Sequence, residues 1–239
     1  METEIPLISV VMAVYRPDPR YLEAQLNSVK SQDDPNFELA VRDDSADEGR
    51  TAALLTSLLK DFPHPFRVTV HVHNLGSVRT FEALTRDAAG AFIAYCDQDD
   101  VWEADKLSAL RAAMTAEVTL AYCGMRFIDT EGVPIINPPK PPWRRRWGLG
   151  LDAYLAYYNF VTGCTMMLRR ELAVTALPVP DGYVHDHWLA LNAARNGAFA
   201  FIRRPLVNYR LHERNQIGVD TLPGIQDKAS YAQKRLLPE

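Results

Sequence analysis

Ala91-Phe92-Ile93-Ala94-Tyr95-Cys96-Asp97-Gln98-Asp99-Asp100 runs from unbroken apolar side chains straight into three carboxylates. A short apolar run of this kind reads as a strand, Ala91 to Cys96, buried on both faces. Such strands belong to parallel sheets covered by helices on either side. Polar residues just past the end of the strand then lie at the carboxyl edge of the sheet, where α/β folds bind their ligands.

The sequence upstream repeats the same unit. Leu7 to Val14, Phe37 to Val41 and Arg67 to Val72 read as three more strands. Between them stand helical patterns. Asp18-Pro19 supplies a cap and a proline at the first helical position, followed by Leu22, Leu26 and Val29 on one face. Ser45 and Glu48 have capping-box spacing ahead of Leu54, Leu55, Leu58 and Leu59. Gly76 to Ala89 turns Phe81, Leu84 and Ala88 inward. Strands alternating with helices predict an α/β fold with a mostly parallel central sheet. The residues that follow the four strands are polar: Tyr15, Asp43-Asp44, Asn74 and Asp97 to Asp100.

Downstream the pattern is less regular. Leu107, Leu110 and Met114 predict a helix and Val118 to Phe127 a long strand. Residues 129–150, rich in Pro, Gly, Trp and Arg, read as a loop. Phe160 to Leu168 reads as a strand interrupted by Gly163. Asp186 to Asn196 reads as a helix closed by Gly197. Phe199 to Leu211 holds one or two short strands around Pro205. We expect one domain over residues 1–218, with a nucleotide-binding half near 1–100 and an acceptor-binding half near 101–218, then a polar tail over 219–239.

Bulk properties narrow the class. The 239 residues are 47% apolar with a net charge of −4. That balance suits a globular domain and argues against nucleic acid as the partner. Cys96, Cys123 and Cys164 are far apart and sit in apolar runs. They predict neither a disulfide framework nor a zinc site, and fit a reducing cytoplasm. No eighteen-residue apolar run or secretory signal is evident. The chain lacks GxGxxG and GK[ST], the marks of dinucleotide and P-loop sites.

Three carboxylates within four residues repel one another unless something compensates. A divalent cation does so, taking one or two carboxylates and completing its shell with phosphate oxygens and water. The plain alternative is a solvated acidic loop that caps the next helix. An EF-hand loop fits poorly, because no glycine occupies its sixth position.

The segment Cys96-Asp97-Gln98-Asp99-Asp100-Val101-Trp102, with Lys106-Leu107 after it, resembles the Asp-x-Asp segment of family 2 glycosyltransferases, most of all their bacterial rhamnosyltransferase-like branch. The resemblance covers roughly residues 7–218. It also takes in Ala13-Val14-Tyr15, Asp43-Asp44-Ser45, Asn74-Leu75-Gly76, Thr162-Gly163-Cys164, His185-Asp186-His187-Trp188 and Tyr209-Arg210-Leu211-His212 with Asn215, in order. It implies a GT-A fold with a smaller acceptor-side subregion. It also implies a UDP- or dTDP-sugar donor, a Mn²⁺ or Mg²⁺ cofactor, and a cell-surface glycan or lipid-linked acceptor.

The same resemblance distributes the roles. It puts Ala13, Tyr15 and Asp43 at the base and ribose, and Asn74 and Gly76 at the loop beside the donor. Gln98 and Asp97 lie at the nucleotide. Asp99 is the expected direct metal ligand, joined by His212, with Asp97 meeting the ribose or a metal water. Gly163 and Cys164 let a sugar approach the backbone, and His185 and Trp188 flank it. Asp186 is the candidate base for an inverting transfer, because a carboxylate must take the acceptor hydroxyl's proton. An N-cap role for Asp186 and simple packing for Trp188 are the plain alternatives. Trp143-Arg144-Arg145-Arg146-Trp147 has the chemistry of a peripheral contact with an anionic membrane.

Two other classes share parts of this pattern. A sugar nucleotidyltransferase wants a glycine-rich basic loop after the first strand, and Tyr15-Arg16-Pro17-Asp18-Pro19 is not one. A non-catalytic glycan-binding or scaffold module would not need Asp97, Asp99 and Asp186.

Overall fold

The computed structural model describes residues 5–136, 150–213 and 215. The expected tail over 219–239 and the Trp143–Trp147 patch lie outside them.

The first half alternates strand and helix: β1 (Ile8–Val14), α1 (Pro19–Lys30), β2 (Phe37–Asp43), α2 (Arg50–Leu58), β3 (Phe66–Val70), α3 (Ser77–Asp87) and β4 (Phe92–Cys96). Asp18 caps α1 by accepting the Arg20 N–H, with Pro19 at the first helical position. The capping box ahead of α2 does not form. Ser45 Oγ instead accepts the Arg16 N–H at 2.9 Å, which ties the β1 loop to the β2 loop. Glu48 sits at a φ of 61° and Gly49 at 85°. Asp47 takes over the start of the helix, accepting from both the N–H and the hydroxyl of Thr51.

The second half holds β5 (Val101–Trp102), α4 (Lys106–Ala113), β6 (Val118–Ile128), α5 (Leu151–Tyr157), β7 (Met166–Arg169), α6 (Arg170–Thr175), α7 (His185–Asn196) and β8 (Ala198–Arg210). Here the sequence reading needs correction. The strand expected over Phe160–Leu168 is a 3-10 turn at Gly163–Thr165 followed by the short β7. Inside the expected loop the chain folds back on itself, with Ile128 bridged to Pro134. β5, α5 and α6 were not anticipated, since each is too short to show a period. β8 is one long strand through Pro205, its register against β6 shifting near Gly124.

The eight strands form one sheet in the order β3-β2-β1-β4-β7-β6-β8-β5. β1 pairs in parallel with β2 and β4, and β2 with β3. β7 runs antiparallel to β4 and β6, β8 parallel to β6, and β5 antiparallel to β8. Six strands therefore share one direction and two are reversed, so the mostly parallel expectation holds.

Alternation along β1 divides the core. Ile8, Val10, Met12 and Val14 pack with Leu22, Leu55 and Leu107 from α1, α2 and α4. Val11 packs on the other face with Phe81 of α3, Leu155 of α5 and Leu189 of α7. The ends of β1, β2 and β4 meet at one edge, as the parallel registers require.

The entry to β4 is fixed by backbone proximity. A Cβ on Gly90 would stand 2.6 Å from the Leu7 carbonyl oxygen and 2.7 Å from the Ser9 nitrogen. The Gly90 N–H donates to Ser9 Oγ, which donates in turn to Glu38. Gly90→Ala must push two strands apart, so it should destabilise the chain by about 1–3 kcal/mol in urea unfolding. An unchanged midpoint would show that the β1–β4 spacing is not as tight as described.

Candidate functional site

At the carboxyl edge of the sheet the chain leaves β4 at Cys96 and reverses through Asp97–Asp100 into β5. Because β5 pairs with β8, this reversal brings the cluster against the residues that follow β8. Asp99 Oδ2 lies 2.8 Å from His212 Nε2. Asp100 is fully buried. Its Oδ1 accepts the Arg210 N–H, and its Oδ2 has no hydrogen-bond partner. Arg210 is the brace of the cluster: Nε donates to the Asp99 carbonyl, Nη1 to the carbonyls of Asp129 and Thr130. Its guanidinium also covers the Tyr21 ring at 4.5 Å. Asn215 closes this segment by accepting the His212 N–H and donating to the Arg210 carbonyl.

The electrostatics match the crowding. Desolvation, then the charges of Asp99 and Asp186, push Asp97 up to about 7. Burial and the charges of Asp99 and Asp97 hold Asp100 well above the usual carboxylate range. Asp97, Asp100 and Cys164 present ligand atoms within 4.8 Å of one another. Carboxylates that resist ionisation without a compensating charge are a donor set suited to a hard divalent cation, and the Asp99–His212 contact adds an imidazole at its outer side.

Asp43 and Asp44, adjacent at the end of β2, have separate tasks. Asp44 collects four donors: His71 Nδ1, Asn74 Nδ2 and the N–H groups of Leu75 and Gly76, all at 2.8–3.0 Å. It thereby fixes the loop between β3 and α3. Gly76, at a φ of 79° and ψ of 159°, occupies backbone space that favours glycine. Asn74 and Gly76 are thus held from below by Asp44. Asp43 is 1% exposed. Its Oδ1 accepts the Ser45 N–H, and its Oδ2 is buried without a partner.

Gln98 bonds the Tyr15 backbone twice, accepting its N–H at 2.8 Å and donating to its carbonyl at 3.2 Å. It clips the end of β1 to the end of β4. The Tyr15 ring is 42% exposed, with Arg16 5.3 Å away over its face. Ala13 packs toward α3. Arg79 binds Glu82, Asp181 and the Val179 carbonyl.

Asp186 lies in the first turn of α7, whose N-cap is Val184. Its carboxylate accepts the His187 N–H, Asn159 Nδ2 and, across the 3-10 turn, the Gly163 N–H at 3.1 Å. Its charge acts on Asp97, so the candidate base and the acidic cluster belong to one site. Gly163 has a local reason: a Cβ there would stand 3.0 Å from His185 Nε2. His185 stacks on Phe81 at 4.1 Å and lies 5.4 Å from Tyr95, with its Nε2 unpartnered. His187 and Trp188 face the helix layer. His187 Nε2 bonds the Leu155 carbonyl, and Trp188 donates to the Ala176 carbonyl at 2.6 Å. Successive residues on a helix point about 100° apart, so one run of three aromatic side chains cannot all face the site. Trp188 is placed by packing against Tyr183.

Lys106, Arg210, Asn159 and the separate role of Asp44 went unassigned in the sequence reading. Lys106 had one available signal. It stands at helical spacing before Leu110, on the inward face where a lysine is out of place.

With this geometry in view, the comparisons with known proteins are direct. The profile of Glycosyl transferase family 2 matches residues 9–175. The chain belongs to this family. The Escherichia coli UDP-Glc:alpha-D-GlcNAc-diphosphoundecaprenol beta-1,3-glucosyltransferase WfgD is 31% identical over 213 residues, covering 87% of this chain and 78% of WfgD. The dTDP-rhamnosyl transferase RfbG of Shigella flexneri is 24% identical, over 90% of this chain and 75% of its own. The chain spans only 17% of a Sinorhizobium fredii relative and 59% of mycobacterial ones. Among solved structures, S. aureus TarS 1-349 in complex with UDP-GlcNAc aligns with a TM-score of 0.66 at 19% identity. It covers 87% of this chain and 59% of the other, and supports the GT-A fold. Among the described residues, no helix is long and apolar enough to cross a membrane.

His185 gives the site a pH signature. Burial pushes its imidazole down to about 3 from the usual 6.5. The unfolded chain takes up a proton near pH 6.5 that the folded chain refuses until about pH 3. The stability linked to this group is present above that window and lost as pH falls through it. His185→Phe, which keeps a ring against Phe81, should flatten the fall in melting temperature across the window. Parallel curves for variant and wild type would contradict a neutral, enclosed His185.

Proposed function

We propose that the chain is an inverting glycosyltransferase. It moves a sugar from a UDP- or dTDP-sugar to a hydroxyl of a cell-surface glycan or lipid-linked acceptor. The observation that carries this reading is that Asp186 accepts the Gly163 N–H, while the next residue, Cys164, stands within 4.8 Å of Asp97 and Asp100. Two carboxylate centres then serve two ends of one displacement.

At the donor end, Asp43 offers a buried carboxylate oxygen without a partner. Uracil and thymine each carry an imide N–H that suits it, and a buried acceptor left unpaired is costly. Tyr15 stands exposed at the same edge as a stacking face for the base. Asp99, His212 and Asp97 would hold Mn²⁺ or Mg²⁺. When bound, the ion offsets the charge that builds on the departing nucleoside diphosphate. Relatives support this donor class, since WfgD and RfbG are named for UDP-Glc and dTDP-rhamnosyl transfer. A mannosyltransferase from Pyrobaculum calidifontis shares the fold in a complex with GDP-Man and Mn²⁺.

At the acceptor end, Asp186 takes the proton of the attacking hydroxyl as its oxygen bonds to the anomeric carbon. The bond from that carbon to the diphosphate oxygen breaks, and the nucleoside diphosphate leaves with the electron pair. The Gly163 N–H and Asn159 Nδ2 fix the carboxylate's direction. His185, neutral at ordinary pH, adds no competing positive charge beside it.

Asp186→Asn should abolish transfer while leaving metal-dependent nucleotide binding near the wild-type level, and Asp99→Ala should weaken both. Calorimetric titration with nucleoside diphosphates and a donor-turnover assay read the two effects. Near wild-type turnover in Asp186→Asn would remove the base assignment. In the same titrations Asp43→Ala should lower UDP or dTDP affinity by roughly tenfold or more. Unchanged affinity would move base recognition elsewhere.

A further inference from the structure

We propose that His71 is a positioning residue for the nucleotide-sugar donor. Held by Arg42 as a neutral imidazole in one tautomer, it fixes the Asp44 carboxylate and, through it, the loop Asn74-Leu75-Gly76. The inference rests on reading that loop as the donor side of the site, and it names a residue on which the loop's shape depends.

His71 follows β3, and its ring is largely buried between Arg42 and Asp44. Nε2 lies 2.7 Å from Arg42 Nη1, and Nδ1 lies 2.8 Å from Asp44 Oδ1. A guanidinium only donates, so Nε2 must accept. The ring proton therefore sits on Nδ1 and points at the carboxylate. A proton on Nε2 would set two donors against each other. Arg42 is held from its far side by Asp87, the last residue of α3. Asp44 in turn grips the N–H of Gly76, the residue that caps the start of α3. The series Asp87, Arg42, His71 and Asp44 thus joins the two ends of that helix, with His71 as its one uncharged member.

The backbone of Asp44 is already fixed. Its N–H donates to the Val14 carbonyl, and its own carbonyl accepts Asn74 Nδ2. What remains to be set is the direction of the carboxylate. Oδ1 is the oxygen that His71 shares with the Leu75 N–H, while Oδ2 takes the Gly76 N–H and Asn74 Nδ2. Arg42 reaches this buried carboxylate through the imidazole. Without the Nδ1 donor, Oδ1 would be a buried charged acceptor short of a partner, and turning to find one would release Leu75. The backbone of His71 adds a second link, since its N–H donates to the Asp43 carbonyl at 2.8 Å. One residue thus touches both the aspartate that offers an oxygen to the base and the aspartate that shapes the loop.

The test compares wild type, His71→Phe and His71→Asn. An asparagine amide nitrogen stands where Nδ1 does and stops short of Arg42. Long-range proton–nitrogen spectra of histidine-labelled wild type, recorded above neutral pH, should show the His71 proton on Nδ1 and Nε2 bare. In His71→Phe the Leu75 and Gly76 amides should exchange faster while β1 and β4 keep their protection. Calorimetry with Mn²⁺ present should show UDP or dTDP affinity lowered by about tenfold. His71→Asn should return both readouts to near wild type, which a space-filling role would not do. A proton on Nε2 in wild type, alone or with one on Nδ1, overturns the proposal. So does His71→Phe with unchanged amide exchange, or a folded His71→Asn as impaired as His71→Phe. Should His71→Phe not fold, His71→Asn decides: wild-type exchange and affinity support the proposal, and loss of either overturns it. Faster exchange with undiminished affinity overturns the part of His71 in donor binding. If wild type binds neither nucleotide, the donor reading itself fails, while the tautomer and the amide exchange still decide whether His71 holds the loop.

Discussion

The organising constraint is the cost of holding Asp97, Asp99 and Asp100 together at the end of a fully buried strand. Each neighbouring element answers part of that cost. β8 turns back to deliver Arg210, whose side chain and backbone bind the cluster's own carbonyls and carboxylate. The residues after β8 add His212 against Asp99. α4 begins with the buried Lys106, whose charge acts on Asp97. β5 exists only as two residues, yet its pairing with β8 makes these contacts simultaneous. Remove the charges, and little in the short β5 would hold the far edge of the sheet in this register.

A second thread runs through α3. At its N-terminus the preceding loop is gripped by Asp44. Further along, Phe81 stacks on His185, while Glu82 accepts the Val179 N–H in the segment leading to α7. One helix of eleven residues thus spans from the loop held by Asp44 to the neighbourhood of Asp186. The donor and acceptor halves named from sequence are joined through packed side chains as well as through the sheet.

What could be read beforehand followed the strength of local signals. The β-branched run of β1, the apolar run of β4 and the Asp18-Pro19 cap are local signals, and the positions of these elements followed from them. The capping box at Ser45 and Glu48 had equally good spacing, but Ser45 was needed to bond Arg16 across the edge, a partner 29 residues away. β5 and β7 depend on neighbours distant in the chain, so no period within them could show. In the site, residue types pointed to chemistry while contacts assigned tasks. Asp43 and Asp44 look alike in sequence, yet one keeps a buried oxygen unpartnered and the other spends both oxygens on a loop. Trp188 next to Asp186 looked equally placed, and helix geometry turned it toward α6.

The reversed direction of β7 has a further consequence. Because β7 runs against β4, its beginning lies at the edge where β4 ends, so chain entering β7 arrives at the site. The segment between β6 and β7 can therefore lengthen or change composition without disturbing a single pairing of the sheet. Residues added there join the chain at the edge where the acidic cluster stands. A change confined to this connection would alter the surroundings of Asp186 while the pairings of β1, β2 and β4 stay as they are.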